Sequence, residues 1–323
     1  MNRGSGGARS GPGAPGSDAA PNDTAPRSAS PAPGSAAAGG GEHGRLFIVA
    51  TPIGNLGDIS FRAVETLKTV PLVAAEDTRM TRRLFARYEI STQLVSYHSQ
   101  SSRGREAELL EHLRSGRDLA LVTDAGTPLV SDPGTELASA WAAEGGVIVP
   151  IPGASAVLAA LVASGLSVAH WTFEGFLPRS GKERKLRLAR IAADDRASVI
   201  YEAPSRVPAT LTDLAVAAGE QRRAAICREL TKMHEEVVRG PLGELAAAAG
   251  TGQIMLRGEF VIVLEATSDA DAARQLAGEE PPSLADAREE VARLVAAGTK
   301  RSEAARLVAA ATGLDRHELY RPG

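Results

Sequence analysis

A short apolar run, then a loop, then a helical pattern recurs several times between residues 45 and 163. The runs that show this pattern are residues 46–50, 72–75, 119–123 and 147–151. Apolar runs that alternate with helices are typical of parallel strands joined by crossover helices. The alternation therefore predicts an α/β domain built on a mostly parallel sheet.

A second group of strand-like runs follows, at residues 198–201, 224–227 and 260–264, with a helix near 208–218. This group predicts a second α/β domain of about one hundred residues, a common domain size. A polar, acidic linker covers residues 267–282, and helical patterns follow it. The predicted organisation is a disordered extension over 1–44, α/β domains over 45–167 and 168–268, and a helical appendage over 281–323.

The first 44 residues are mostly Gly, Pro, Ser and Ala and show no apolar periodicity. Such a composition buries too little apolar surface to offset the entropy lost on ordering, so we expect disorder and assign no function. A secretory signal would need a continuous apolar stretch that is absent here. A transit peptide is disfavoured by the missing amphipathic arginine pattern, although the segment has few acidic residues.

Composition limits the compartment and the class of partner. The formal net charge of −3 gives no overall positive field for nucleic acid, so only local patches could bind it. The single cysteine, Cys227, excludes a disulfide framework and suits a reducing cytoplasm. No apolar run reaches the ~18 residues of a membrane span. His98 and His234 lack companions at ligand spacing, so we predict no structural metal.

The loop after residues 119–123 is the strongest candidate for a ligand site. It contains two carboxylates, Asp124 and Asp132, together with Gly126, Pro128 and Pro133. Loops at the carboxyl ends of parallel strands are where open α/β sheets bind ligands. Glycine allows close approach of the backbone to a ligand, and proline stiffens the loop.

Two glycine-containing segments are weak nucleotide motifs. The loop at residues 51–58 is not a GxGxxG sequence, so a dinucleotide loop and an ordinary tight turn both remain open. At Gly175–Glu183 five residues separate the glycines, and Glu183 stands where a P-loop needs a hydroxyl. The sequence therefore argues against a nucleotide hydrolase.

Basic residues recur at helical spacing in two places. The first group is Arg79, Arg82, Arg83 and Arg87, and the second is Arg179, Lys182, Arg184, Lys185, Arg187 and Arg190. Either group alone is most simply a solvated helix face. Two groups on a net acidic chain favour a polyanionic substrate, because positive charge is concentrated there.

The last forty or so residues predict two helices and a final turn. Ser283 is positioned to cap the first helix and Gly298 to end it, while Ser302 and Gly313 bracket the second. Asp315 and Glu318 resemble a capping box that opens the last turn. A DNA-binding helix-turn-helix and a packing or RNA-contacting appendage are both compatible with this pattern.

Eight separated blocks together resemble one family. In chain order they are TPIGNLGDIS, AAEDTR, VTDAGTPLVSDPG, PIPGASA, FEGFLPRSGKER, YEAPSR, RELTKMHEE and GEFVIVLE. These blocks are similar to those of the ribosomal RNA small subunit methyltransferase I family, in the tetrapyrrole methylase superfamily of class III S-adenosylmethionine-dependent methyltransferases. The resemblance covers about residues 45–265.

The resemblance implies two α/β domains with S-adenosylmethionine held between them, a homodimer, and 2′-O-methylation of a decoding-centre cytidine in 16S ribosomal RNA. The positions that it implies for the cofactor are Pro52, Asp124, Ala125, Gly126, Thr127, Ser131, Asp132, Ala154, Ser155, Phe176, Tyr201 and Leu230. For RNA contact we predict Arg82, Arg83, Arg179, Lys182, Arg184, Lys185 and Arg187.

A ribose hydroxyl is a poor nucleophile, so a base or a cation that stabilises the developing alkoxide would help methyl transfer. The candidates for catalysis are Glu202, Lys232, Asp77 and Arg79. Two positions depart from the family pattern: Gln100-Ser101 replaces a His-Asn pair, and Ser205 replaces a histidine.

Two other functions remain open on the residues alone. One is methylation of a tetrapyrrole or another small acceptor, since a polycarboxylate also suits arginine. The other is a DNA-binding regulator that uses the helical tail, with the α/β part as a ligand sensor.

Overall fold

The structure, a computed structural model, describes residues 43–98, 103–267, 283–296, 298–312 and 314–321. The first sheet consists of β1 (Arg45–Val49), β2 (Leu72–Ala75), β3 (Gln93–Ser96), β4 (Leu119–Val122) and β5 (Val147–Ile151). Its strands lie in the order β3-β2-β4-β1-β5, and every neighbouring pair is parallel. The predicted parallel α/β sheet is therefore confirmed.

Helices cover both faces of the first sheet, which explains the continuous apolar runs of β2 and β4. They are α1 (Phe61–Thr69), α2 (Thr78–Tyr88), α3 (Arg103–Arg114) and α4 (Thr135–Ala143). Phe47 and Val49 pack into the core on one face, whereas Leu46 and Ile48 pack into the core on the other. This alternation along β1 follows from the two-residue period of a strand.

The second sheet consists of β6 (Trp171–Phe176), β7 (Ala197–Glu202), β8 (Arg223–Arg228), β9 (Glu236–Pro241) and β10 (Phe260–Leu264). Its order is β6-β7-β10-β8-β9, with β6 and β7 parallel and the other pairs antiparallel. The helices α6 (Gly181–Ala193), α7 (Val207–Ala218) and α8 (Leu242–Gly250) follow the strands β6, β7 and β9. Residues from these helices share a core with Ile200, Ile226 and Ile262.

The helix α5 (Ala156–Ser164) leaves the first sheet after β5 but packs on the second sheet. Its Val157 and Leu161 share a core with Val199 and Val261, on the face of the second sheet away from α7. The buried Cys227 of β8 lies beneath α5, with its Sγ 3.9 Å from the carbonyl oxygen of Ala160. This helix therefore joins the two sheets through a shared apolar core.

The tail contains α9 (Leu284–Ala296), α10 (Arg301–Thr312) and α11 (Arg316–Tyr320), which enclose a small core of their own. Two predicted caps are present: Ser283 Oγ accepts from Asp286 N, and Asp315 Oδ1 accepts from Glu318 N. The prediction for Ser302 is wrong, because α10 begins at Arg301 and Ser302 lies inside its first turn. The helical C-terminal segment is thus confirmed.

Several predictions fall on residues outside those that the structure describes. These are the extension up to residue 42, the linker over 268–282, the Gln100-Ser101 pair and Gly313. The domain boundaries stay predictions. Among the described residues, no helix is both long enough and apolar enough to cross a membrane.

Gly134, which precedes α4, allows a test of how tightly the β4–α4 connection packs against the core. Its φ is +116°, and a Cβ there would lie 2.5 Å from the Cδ2 of buried Leu121. Gly145, just after α4, also has a positive φ but has open space around it. We expect Gly145→Ala to cost roughly 1–2 kcal/mol of unfolding free energy from backbone strain. Gly134→Ala should cost about 1–3 kcal/mol more, because it also overpacks the core.

Urea denaturation of the two variants measures this difference. Equal losses of stability would show that Leu121 moves aside at no cost and that the contact is unimportant.

Candidate functional site

The strands β2 and β4 are neighbours, but the chain leaves them in opposite directions. β2 leads through α2 to β3 at one side, and β4 leads through α4 to β5 at the other. The crevice between the ends of such strands is the usual ligand site of an open α/β sheet. Asp77 follows β2, and its N–H donates to Asp124 Oδ1 after β4 at 3.0 Å. The site therefore begins with two strand ends that carry acidic residues.

A reciprocal pair of backbone hydrogen bonds joins the loops after β1 and β4. Thr51 N donates to Gly126 O at 2.8 Å, and Gly126 N donates to Thr51 O at 3.1 Å. Gly126 has a φ of +82°, which favours glycine, and a Cβ there would touch Ile53 at 3.4 Å. The β4–α4 loop, residues 123–134, is consequently fixed against the loop after β1.

Two further residues of the β4–α4 loop have left-handed backbone conformations. Leu129 has a φ of 73° and Ser131 a φ of 67°. Non-glycine residues rarely adopt this region, and such strain concentrates in ligand clamps and active sites. Gly175 of β6 approaches Ser131 so closely that a Cβ would lie 3.3 Å from its Oγ. The loop therefore meets the second sheet as well as the first.

A cavity of about 400 Å³ lies between the β4–α4 loop, the start of α5 and the second sheet. This volume is within the usual range for small-molecule sites. Its lining residues are Ile53, Ala125, Gly126, Thr127, Val130, Ser131, Asp132, Ser155, Ala156, Phe176, Tyr201, Glu202, Ala203, Pro204, Gly258, Glu259, Phe260 and Val261. The cavity thus combines apolar surface with a few polar groups.

Most of the residues predicted to hold a cofactor line this cavity, namely Ala125, Gly126, Thr127, Ser131, Asp132, Ser155, Phe176 and Tyr201. The other four do not line the cavity, and two of them, Pro52 and Leu230, are buried. Asp124 accepts a hydrogen bond from the Asp77 N–H, and Ala154 O accepts one from the Thr127 hydroxyl at 3.4 Å. These four lie behind or beside the lining. The cofactor role of the whole set stays a prediction.

Sequence reasoning missed the stretch from Gly258 to Val261 at the start of β10, which lines the cavity from the second sheet. Gly258 has a φ of +92°, and a Cβ there would lie 2.4 Å from Glu229 Cδ. A signal was present, because Gly258 lies two residues before the apolar run at 260–264, and glycine at a strand often marks a close approach of the backbone.

Three aromatic rings support one side of the cavity. Tyr201 contacts Phe173 and Phe176 edge to face, with ring centroids 4.9 and 5.6 Å away. Burial raises the pKa of Tyr201 to about 12, so its hydroxyl stays protonated. Phe176 is 57% exposed and lines the cavity. Its ring is therefore available to a flat or cationic ligand.

The crevice favours a cation. Burial, with repulsion from Glu76, raises the pKa of Asp132 to about 6. Burial also raises the pKa values of Glu76 and Asp124, and coulombic repulsion within the acidic group adds to both. A positive group bound here would relieve this repulsion and restore the ionised forms. Asp77 differs, because hydrogen bonds from Arg79 lower its pKa to about 2.

Two candidate catalytic acids do not fit the role of a base. The Glu202 side chain is 0% exposed, and its oxygens already accept from Ala203 N, Arg206 Nε and Thr210 Oγ1. An acceptor hydroxyl cannot reach it without rearrangement. Asp77 caps α2 and binds Arg79, and a carboxylate with a pKa of about 2 is a weak base near neutral pH.

Lys232 occupies a junction between the two halves of the site. Its Nζ lies 2.8 Å from Glu229 Oε1 and 3.0 Å from Glu259 Oε2, beside the cavity. A Cβ on Gly54 would lie 2.4 Å from Lys232 Cγ, so its stem crosses the loop after β1. Burial alone would lower the pKa of Lys232, but hydrogen bonds to both glutamates raise it overall. Lys232 is therefore a held cation.

The predicted basic groups divide by exposure. Arg82 and Arg83 on α2 are exposed, and so are Arg179, Lys182 and Lys185, which form what we call the α6 basic surface. The structure contradicts the predicted RNA contact of Arg184. Its side chain is 10% exposed and binds Asp213, Pro178 O and Thr210. Arg187 is half-buried and pairs with Glu174 at 2.9 Å. A buried arginine of this kind is not available to phosphate.

Comparison with known proteins gives a consistent result. Residues 45–246 match the family model of Tetrapyrrole (Corrin/Porphyrin) Methylases. The chain is 45% identical to Ribosomal RNA small subunit methyltransferase I of Synechocystis sp. over 86% of this chain and 96% of that protein. It is 40% identical to the protein of the same name from Bacillus subtilis, over 86% and 93%.

Among solved structures, the fold is similar to that of uroporphyrin-III C-methyl transferase from Thermus thermophilus complexed with S-adenyl homocysteine. The TM-score is 0.51 at 19% identity, over 72% of this chain and 100% of that one. At this identity the likeness concerns the fold.

Proposed function

Because this chain belongs to the ribosomal RNA small subunit methyltransferase I family of tetrapyrrole methylases, we propose that it methylates small-subunit ribosomal RNA with S-adenosylmethionine. The specific reaction we propose is 2′-O-methylation of a decoding-centre cytidine in 16S ribosomal RNA. The observation that carries the proposal is the cavity whose acidic and aromatic lining suits a sulfonium cofactor.

The chain's own residues account for how such a cofactor would be held. S-adenosylmethionine, when bound, supplies a methyl group that is activated by its positively charged sulfur. Asp132 and the neighbouring carboxylates favour that charge, and Phe176 offers an aromatic face. Ala125, Gly126 and Thr127 of the strained β4–α4 loop line the cavity. Pre-ordered groups of this kind reduce the entropy lost on binding.

This proposal predicts a pH-dependent preference for the charged cofactor. Asp132 ionises with a pKa of about 6, so affinity for S-adenosylmethionine should rise from pH 5 to pH 7. Asp132→Asn should remove that rise and weaken S-adenosylmethionine about tenfold at pH 7, with a smaller effect on S-adenosylhomocysteine, which lacks the sulfonium charge. Calorimetry with both ligands measures the difference. Equal losses for the two would contradict a role in recognising the sulfonium.

The α6 basic surface is the part of the second predicted group that can contact phosphate. Arg179, Lys182 and Lys185 are exposed, and the described residues show no ion pair for any of the three. With Arg82 and Arg83 on α2, these side chains concentrate positive charge on a chain whose net charge is −3. We propose that RNA contacts both surfaces.

Replacing Lys182 and Lys185 together with Ala should weaken RNA binding and flatten its dependence on salt. Each lost phosphate contact should reduce the slope of log K against log salt by about 0.7–0.9. Filter binding at several salt concentrations measures the slope, and Lys68→Ala on α1 is a matched control. A slope equal to that of the parent would make the surface an ordinary solvated helix face.

For the transfer step we propose that Lys232 is the catalytic candidate best supported by geometry. Its ammonium is held beside the cavity and can stabilise an acceptor oxygen as negative charge develops. Arg79 is 85% exposed on its side chain and contacts Asp77, so it suits RNA contact better than proton transfer. With Asp77 and Glu202 disfavoured as bases, charge stabilisation and alignment remain as the main contributions.

A methyl-transfer assay with labelled S-adenosylmethionine tests both the acceptor and the mechanism. The acceptors to compare are small ribosomal subunits, free 16S ribosomal RNA and a uroporphyrin. We expect label on a ribose of the RNA, and we expect Lys232→Met to slow the single-turnover rate by about 10²-fold while binding is retained. Lys68→Met is the control. Label on the uroporphyrin alone would replace the proposed function with tetrapyrrole methylation.

We also propose a homodimer in the cytoplasm, as the resemblance implies. Leu158 and Val162 on the outer side of α5 are 55% and 82% exposed, which is consistent with an interface there. Sedimentation equilibrium tests the dimer, and a monomer at micromolar concentration would contradict it.

A further inference from the structure

A network of charged and hydroxyl side chains lies beside the cavity, which one of its members, Glu202, helps to line. Asp213 pairs with Arg184 at 2.8 Å, and Arg184 Nη2 donates to Thr210 Oγ1 at 3.0 Å. Thr210 Oγ1 donates to Glu202 Oε2 at 2.6 Å, and Glu202 Oε1 pairs with Arg206 Nε at 3.1 Å. We call these five residues the buried network. It connects α6, β7 and α7 in one continuous chain of hydrogen bonds.

Both arginines of the buried network end on the same short segment. Arg206 Nη2 donates to Leu177 O at 2.6 Å, and Arg184 Nη1 donates to Pro178 O at 2.9 Å. Leu177 and Pro178 connect β6 to α6 and directly follow Phe176. The network therefore fixes the path of the chain immediately after an aromatic residue of the cavity.

Burial makes this arrangement sensitive to change. The Glu202 side chain is fully buried, and so is the whole of Thr210. The Arg184 side chain is 10% exposed. Two guanidinium groups and two carboxylates balance in charge. The Asp213 side chain is 43% exposed and that of Arg206 25%, but removing either would leave its buried partner, Arg184 or Glu202, without its ion pair. Well-packed apolar residues often stabilise a core as well as buried ion pairs do. Stability alone therefore does not explain these residues.

The network also lies between two functional surfaces. On one side, Phe176, Ala203 and Pro204 line the cavity next to the network's hydrogen bonds. On the other, Arg184 points inward from α6, the helix whose outer side carries Lys182 and Lys185. One set of hydrogen bonds thus fixes a side of the cavity and the helix that presents basic residues.

We infer that the buried network is a positioning device that sets Phe176 and α6 relative to the cavity, with Glu202 as a positioning residue. This inference rests on the proposed function for the identity of the cofactor. A misplacement of about 1 Å in a binding site can cost 10²-fold in rate, so the network should affect function more than its distance from the ligand suggests.

Thr210→Val and Arg206→Met test the inference. Thr210→Val removes the hydroxyl that links Arg184 to Glu202, and Arg206→Met releases Leu177 O. We expect each to weaken S-adenosylhomocysteine binding about tenfold, as measured by calorimetry below the unfolding transition. The salt slope of RNA binding should stay unchanged, because the α6 basic surface is intact. Arg206→Lys should restore part of the affinity through its charge pair with Glu202.

A second readout needs no cofactor. Trypsin should cleave the unliganded variants after Arg179 about tenfold faster than the parent, because the segment after Phe176 opens more often. Thr212→Val, on the exposed side of α7, and Arg196→Met, which removes a local pair with Asp194, are matched controls.

The outcomes separate the inference from the proposed function. If the parent itself fails to bind S-adenosylhomocysteine, the proposed function is wrong. The trypsin cleavage rates still test whether the network fixes the segment after Phe176. If both network variants unfold at lower temperature yet match the controls in ligand affinity and cleavage rate, the network is structural only and the inference is overturned.

Discussion

The site depends on the packing of α5 against the second sheet. This helix is continuous with the first sheet through β5, yet its apolar residues share a core with β7, β8 and β10. The β4–α4 loop meets β6 at Gly175 and completes the contact. Because each half provides only part of the cavity lining, the shared core decides whether a ligand site exists at all.

Charge is arranged unevenly around that cavity. Carboxylates concentrate at the ends of β2 and β4, where burial and repulsion raise the pKa values of Glu76, Asp124 and Asp132. Exposed cationic side chains occur instead on α2 and α6. A small cation and a polyanion would therefore be drawn to different parts of one molecule. The near-neutral net charge conceals this separation.

Much of the first sheet could be predicted from sequence, because strands buried on both faces give continuous apolar runs. The strands without a prediction, β3, β6 and β9, all lie at sheet edges. Gln93 and Ser96 make β3 polar, and Gly175 interrupts β6 at a register shift. Edge strands bury less surface, so their sequences carry a weaker signal.

The candidate site was predictable where one loop contains both the glycine and the carboxylate of a ligand site, as at Gly126 and Asp132. It was less so where tertiary packing decides the role of a side chain. Arg184 precedes Leu188 and Ile191 by four and seven residues, which places it on the apolar face of α6. Glu202 carries no comparable signal, since only the folded arrangement of Thr210 and Arg206 encloses it.

The place of Cys227 gives the molecule an internal reporter. Burial raises the pKa of its thiol to about 11, and α5 covers it. A thiol in this state reacts with alkylating reagents only when the chain above it opens, since the thiolate is the reactive form and needs access to solvent. Because α5 joins the two sheets, the rate of alkylation measures how often the halves of the cavity separate. Because Cys227 is the single cysteine of the chain, the opening rate of the cleft can be measured without an engineered label.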